Sequence, residues 1–324
     1  MAVSGIAALG VAMVGALIPT AIFAGVMWWF DRYEKEPLTL MGVAALWGSL
    51  SAMAIVLLRP LVLAGGAALF DPLTMGTWGN AILLPALAEI VKGLLLLGFF
   101  LLYAREIDSL YDGFLYGALT GFAFAAADTI LGAPARGWSL GEAFGRTATL
   151  GLAQAFFTAW IGLGLAAARL SRGSARWAWP VLGLLTAIAF HSLRELVLIP
   201  TLWNPGLAGL RTLVNALGVL VLLGIVVYGM GREQAWIARY LAEEVSAGVL
   251  PAPLYETLRS PTGWLAYRWG PLLRGDTAAW RRRGQQLQIA AELAFRKHQQ
   301  ATLGEARWES EIQRLREALR HLSA

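Results

Sequence analysis

Glu89 and Lys92 lie three residues apart in Gly79 to Tyr103 (GNAILLPALAEIVKGLLLLGFFLLY), a run otherwise apolar and long enough to cross a bilayer. An ionised residue at the centre of a spanning helix costs about 2.5–3.5 kcal/mol on insertion scales. Other apolar runs carry Asp128, and His191, Arg194 and Glu195. Three carboxylates thus face two fixed cations, and a protonated His191 would complete neutrality, as expected if these groups share one cavity instead of facing lipid. His191 and Glu195 are i and i+4 on one helix, so both can point the same way. Two chemistries fit this set. A carboxylate beside a histidine can activate water as a general base, and a histidine with several carboxylates (His191, Glu195, Asp128, Glu89) can hold a divalent metal such as zinc. Zinc has the weaker case: there is no HExxH and no Cys, and the other histidines, His298 and His321, lie in a polar tail. Serine chemistry lacks a G-x-S-x-G, and an aspartyl dyad lacks a partner for Asp128, since Asp112 falls at a span end. Charge pairing that merely locks helices together is the plain alternative. It explains one pair more readily than six groups on three helices.

The elements that must position these residues are membrane helices. With 57% hydrophobic residues and a mean hydropathy of +0.59, the chain is too apolar for a soluble domain and matches an all-α polytopic bundle followed by a polar tail. Seven spans are expected: Val3–Phe30, Leu38–Leu58, Gly79–Tyr103, Phe114–Ala133, Ala143–Ala168, Trp177–Leu198 and Leu210–Met230. No Lys or Arg precedes Arg32, so the first run lacks the basic start of a cleaved signal peptide and is read as a helix that stays. Alternating the loops puts Arg32, Lys35, Arg105, Arg169, Arg172 and Arg176 on the side of the tail, against Arg59, Arg136, Arg146 and Arg211. The positive-inside bias then predicts an outside N-terminus and a cytoplasmic C-terminus. Without cysteine, neither disulfides nor thiolate metal sites are available.

Two domains are expected, a membrane domain over 1–230 and a cytoplasmic helical tail over 231–324. The tail holds 14 of the 26 basic and 10 of the 21 acidic residues, and this balance would draw it to anionic lipid. Trp308, Ile312, Leu315, Leu319 and Leu322 form a stripe for packing on another helix. Thr277 to Thr302 is helix-like and Gly304 is placed to cap it, so the tail should end in a helical hairpin. Pro251, Pro253, Pro261 and Pro271 break the segment before it into short helices and turns.

Five motifs in order resemble the PrsW-type intramembrane proteases, relatives of the CAAX prenyl endopeptidases and bacteriocin-immunity membrane proteins. Asp31, Tyr33, Glu36 and Pro37 (DRYEKEP) are similar to D-x-Y-x-x-E-P. Pro85 to Lys92 (PALAEIVK) is similar to P-x-x-E-E-x-x-K. Asp112 to Gly117 (DGFLYG) with Phe124 and Asp128 (FAAAD) resembles D-G-x-x-Y-G leading to F-x-x-x-E. Gln154 to Gly162 (QAFFTAWIG) sits where the family has a helix with His eight residues before Gly, and His191 to Glu195 (HSLRE) is similar to H-x-x-x-D or H-x-x-x-N. Two expected catalytic positions differ: Ala88 replaces the first Glu of the pair and Gln154 the histidine. Asp128 for Glu and Glu195 for Asp keep the acid with altered reach, and Thr129 replaces an Asn.

The resemblance implies a bacterial plasma-membrane endopeptidase acting on membrane-anchored proteins such as anti-sigma factors, either active or, with Ala88 and Gln154 at two catalytic positions, a catalytically degenerate descendant of one. Glu89 would be the general base or the electrostatic partner, Lys92 would hold it ionised, and His191 with Asp128 and Glu195 would position water and stabilise the oxyanion. Glu89, Asp128, Gln154, His191 and Glu195 should then converge on one polar cavity. The alternative is a non-catalytic receptor or scaffold that binds a transmembrane partner in the same groove. Transport is disfavoured by the absence of an internal repeat. The expected partners are a membrane-anchored protein and the bilayer, not nucleic acid.

Overall fold

The structure is a computed structural model. It describes all residues except 1–4, 31–34, 105, 108, 172, 204–207, 261–262, 304–307 and 324. Asp31 and Tyr33 of the first motif, Arg32, Arg105 and Arg172 of the loop charges, Pro261, and the expected cap Gly304 therefore lie outside the described residues.

Seven helices are long and apolar enough to cross a membrane, and no strand occurs among the described residues. They are α1 (Gly5–Phe30), α2 (Leu38–Ala67), α3 (Pro72–Leu102), α4 (Leu110–Arg136), α5 (Leu140–Leu170), α6 (Ala178–Trp203) and α7 (Ala208–Ser246). Pro60 does not end α2, which continues to Ala67. The first part of α3, Met75–Leu83, is π-helical, a widened turn that hydropathy does not reveal. Nor does α7 stop at Met230. Polar residues can ride on a helix surface, and the chain turns only near Gly248, at a φ of 68°.

The chain forms two compact units. One holds Met1–Trp29 and Glu36–Ile225, the other Phe30–Lys35 and Val226–Ala324. At the centre of the first, α4 and α5 form an antiparallel hairpin. Ser109 and Asp112 make a reciprocal capping box at the start of α4, Ser139 and Glu142 make another at the start of α5, and Gly137 ends α4 at a φ of 60°. Asp112, considered above as a candidate aspartyl partner, is thus occupied in capping a helix.

What draws α4 and α5 together is small residues four apart. A Cβ on Gly113, Gly117 or Gly121 would lie 2.5, 2.7 or 2.2 Å from the carbonyl oxygens of Gly162, Thr158 and Gln154, and one on Gly162 would lie 1.9 Å from that of Gly113. This is small-xxx-small packing, in which the missing side chains let backbones touch. It sets Gln154 and Thr158 in the middle of the bundle. Gly164 of α5 and Gly183 of α6 do the same for the next pair, each standing where a Cβ would meet a tryptophan carbonyl, of Trp179 and Trp160, at 2.5 and 2.4 Å. Around this core the outer faces of α1, α2 and α6 expose large apolar side chains such as Ile6, Leu57 and Leu185, as a lipid-facing surface requires.

In the second unit, the end of α7 packs with α8 (Ala252–Arg259), α9 (Gly263–Leu273), α10 (Thr277–Leu303) and α11 (Trp308–Ser323). Its core includes Leu241, Leu258, Trp264, Phe295, Ile312 and Leu319. Trp308, Ile312, Leu315 and Leu319 are buried in it. Glu244, 1% exposed at its side chain, accepts both nitrogens of the Arg316 fork at 2.9 and 2.7 Å and Lys297 at 2.8 Å, so the buried carboxylate is fully compensated.

Candidate functional site

The chemistry gathers where α3, α5 and α6 meet. Lys92 is completely buried. Its ammonium has three hydrogens to place, and places them on Glu89 Oε1 at 2.7 Å, Gln154 Oε1 at 2.6 Å and Thr158 Oγ1 at 2.9 Å. The Phe124 ring lies 4.8 Å away and adds a cation–π contact. Glu89, equally buried, receives a second bond on Oε1 from His191 Nδ1 at 2.7 Å.

An ionised carboxylate only accepts, so the contact assigns the hydrogen to Nδ1 of His191, and in that tautomer of the neutral ring Nε2 carries the lone pair. Lys92 requires the oxygen of Gln154, which turns the Gln154 Nε2 amide toward His191 Nε2, at a loose 3.4 Å. The imidazole is held flat by Phe157, stacked at 4.7 Å with 15° between the planes. Glu89 Oε2 is buried with no hydrogen-bond partner.

Next to this network is a cavity of about 270 Å³ whose wall includes Ala88, Asp128, Gln154, His191 and Glu195, with Arg59 and Asn80 among the remaining residues. Glu89 and Lys92 do not line it. The sequence-expected residues thus fall into two sets. Glu89, Lys92, Gln154 and His191 touch one another, and Gln154 and His191 link them to the cavity. Asp128 and Glu195 stay on the wall, each with its own arginine. Asp128 accepts Arg146 at 2.6 Å and Glu195 pairs with Arg194, whose Nε reaches Asn215 at 3.2 Å. Arg146, read from sequence as a loop charge, therefore joins Lys92 and Arg194 as a cation paired with one of the three carboxylates. Neither Arg146 nor Thr158 was singled out from sequence. A signal existed for Thr158, which lies one turn after Gln154 and so shares its face.

Other described motif residues make contacts within the bundle. Tyr116, fully buried, donates its hydroxyl to Glu36 at 2.5 Å and so joins the first motif to the third. Thr129 donates to the Ala125 carbonyl of its own helix. Ala88, 5% exposed, packs with Ala52 and Phe124 and makes an apolar stretch of cavity wall.

The sequence profile of the PrsW family intramembrane metalloprotease matches residues 36–230, three fifths of the chain. The chain belongs to the PrsW family. No curated protein and no solved structure matches it significantly. Within that family assignment, this is a multi-pass membrane protein with the fold of an intramembrane protease.

The family's description implies a metal. Zinc needs at least three nitrogen, sulfur or oxygen donors at about 2.0–2.3 Å. Among the described residues no three His, Asp or Glu side chains form such a group. In this PrsW-family chain His191 Nδ1 and Glu89 Oε1 are spent on each other and on Lys92, Ala88 offers no donor, and the Gln154 oxygen is taken by Lys92. The residues present do not fit a resident divalent ion.

Proposed function

We propose that this chain is an intramembrane endopeptidase of the bacterial plasma membrane that hydrolyses membrane-anchored proteins, anti-sigma-factor-like substrates among them. The observation that carries this reading is the Glu89–His191 pair at 2.7 Å, with His191 on the wall of a cavity inside a bundle of membrane helices. Glu89 acts as the electrostatic partner. It holds the Nδ1–H tautomer and stabilises the imidazolium that forms when Nε2 takes a proton from water in the cavity. Lys92 keeps Glu89 ionised and fixes Gln154, whose amide N–H can donate to the oxygen that gains charge during attack. Asp128 and Glu195, each neutralised by an arginine, help position the water. The nitrogen that leaves takes its proton from His191, which restores the starting state. Topology follows the charge bias, with the N-terminus outside and residues 231–324 in the cytoplasm as a separate helical domain.

A second reading, a non-catalytic receptor for a transmembrane partner, is favoured by one observation: Ala88 gives the cavity an apolar wall where the resemblance expects a glutamate. Co-reconstitution with a tagged single-span substrate in liposomes separates the two. The protease reading expects cleavage by wild type and a loss of about 10²–10⁴-fold in His191→Ala, the usual contribution of a general base. Substrate retained by wild type but uncleaved, and equally uncleaved by Ala88→Glu, would favour the receptor.

A further inference from the structure

We infer that Lys92 is the resident cation of this site and takes the place of a divalent metal. The inference rests on reading the cavity as the site of the family's chemistry. It concerns what holds that site together.

The Lys92 Nζ has three oxygen neighbours at 2.6, 2.7 and 2.9 Å, from two different helices, in a fully buried position. That is the coordination shell of a cation, supplied by a carboxylate, an amide carbonyl and a hydroxyl. An ammonium on a covalent stem cannot diffuse away, and its charge balances Glu89 without any bound ion. A divalent ion brought to Glu89 would meet this positive charge at close range in a medium of low dielectric, where repulsion between like charges is strong.

The remaining donor atoms point the same way. Zinc ligation by His191 Nδ1 would require that nitrogen to lose the hydrogen it gives to Glu89. Within the Lys92 cluster only His191 Nε2 and the unpartnered Glu89 Oε2 are then free, and two donors fall short of a structural or catalytic zinc shell; the wall carboxylates Asp128 and Glu195 are paired with Arg146 and Arg194 and complete no three-ligand group with His191 among the described residues. Two of the positions at which this chain departs from the family pattern bear on this. Ala88 offers no oxygen where a Glu is expected, and Gln154, where a histidine is expected, accepts from Lys92 through one end and faces His191 with the other.

The test measures metal, not cleavage. The full chain is purified in detergent from zinc-supplemented cells, dialysed against EDTA or against zinc, and assayed for bound metal by mass spectrometry and for its melting temperature. The expected result is substoichiometric zinc in both samples and the same melting temperature. Stoichiometric zinc removed by EDTA, with a fall in melting temperature, would overturn the inference. Lys92→Met gives a second readout: its lowered melting temperature should not respond to zinc, and recovery to the wild-type value on adding zinc would count against Lys92 as the resident cation. A metal-free chain that cleaves nothing would remove the protease reading and leave this assignment standing. Cleavage abolished by EDTA and restored by zinc would do the reverse.

Discussion

Replacing Lys92 by methionine removes the positive charge from this buried polar cluster and leaves an unbranched apolar side chain one atom shorter. Three acceptors lose their donor at once: Glu89 Oε1, Gln154 Oε1 and Thr158 Oγ1. Breaking a buried ion pair by deleting one partner costs about 3–5 kcal/mol, because the other charge stays behind uncompensated. The hydrogen bond that Glu89 keeps from His191 at 2.7 Å softens this cost, and the stranded Gln154 oxygen adds about 1–3 kcal/mol. For a unit of this size each 1 kcal/mol moves the melting temperature by about 2–4 °C, so Lys92→Met should lose about 6–20 °C in detergent. The informative arm is a double-mutant cycle with Glu89→Gln. Each single variant strands a buried partner, whereas the double variant leaves no charge at all, and a buried pair exchanged for neutral groups is often close to neutral in stability. The double variant should therefore be more stable than the sum of the singles by about 0.5–3 kcal/mol of coupling. Strict additivity, or a Lys92→Met melting temperature within about 2 °C of wild type, would refute a fully buried pair.

Three other outcomes follow from the same structure. Gly162→Ala would drive a methyl group to 1.9 Å from the Gly113 carbonyl oxygen and must part α4 from α5, costing at least the about 1–3 kcal/mol typical of overpacking. Gly145→Ala, with open space around it, is the control, and equal melting temperatures for the two would contradict the glycine seam. In the tail unit, burial with Arg232 and Arg239 nearby holds the His298 imidazole below its ordinary range, and the ring stacks on Trp236 at 4.0 Å. The folded state then binds fewer protons than the unfolded chain, so this contribution is complete above the unfolded value of about 6.5 and is lost as pH falls toward the depressed one. Amide exchange protection of α10 should weaken between about pH 7 and pH 5, and a slope unchanged in His298→Phe would assign the effect elsewhere. Finally, external protease should remove residues 231–324 from inverted vesicles and spare them in right-side-out ones; the opposite pattern would reverse the topology.

The spans were legible because twenty apolar residues in a row have few other uses, and Glu89 with Lys92 because an i, i+3 spacing puts both on one face. His191 was legible as a lone histidine in an apolar run. What joins them was not. The Lys92–Thr158 contact needs two helices at backbone distance, and that distance is set by Gly113, Gly117, Gly121 and Gly162, residues that carry no hydropathy or charge signal. Asp128 looked like a member of the central cluster because its best partner, Arg146, sits across the α4–α5 turn in a segment that resembles a loop end by composition. Glu195 drew attention through its i+4 relation to His191, yet the neighbouring Arg194 takes it. The continuation of α7 to Ser246 was hidden for a different reason. Hydropathy marks where a helix leaves lipid, not where it ends, and only the glycine at position 248 marks the end.

The central claim is that water is activated at the Glu89–His191 pair to cut a peptide bond within the membrane. It is tested most directly by mass spectrometry of a single-span substrate incubated with the chain in liposomes made up in ¹⁸O-water. The account predicts a new C-terminal carboxylate carrying one solvent oxygen, at a bond within or beside the apolar segment, formed by wild type and lost in Glu89→Gln and His191→Ala alike. The same labelled fragment appearing at the wild-type rate in either variant would contradict it.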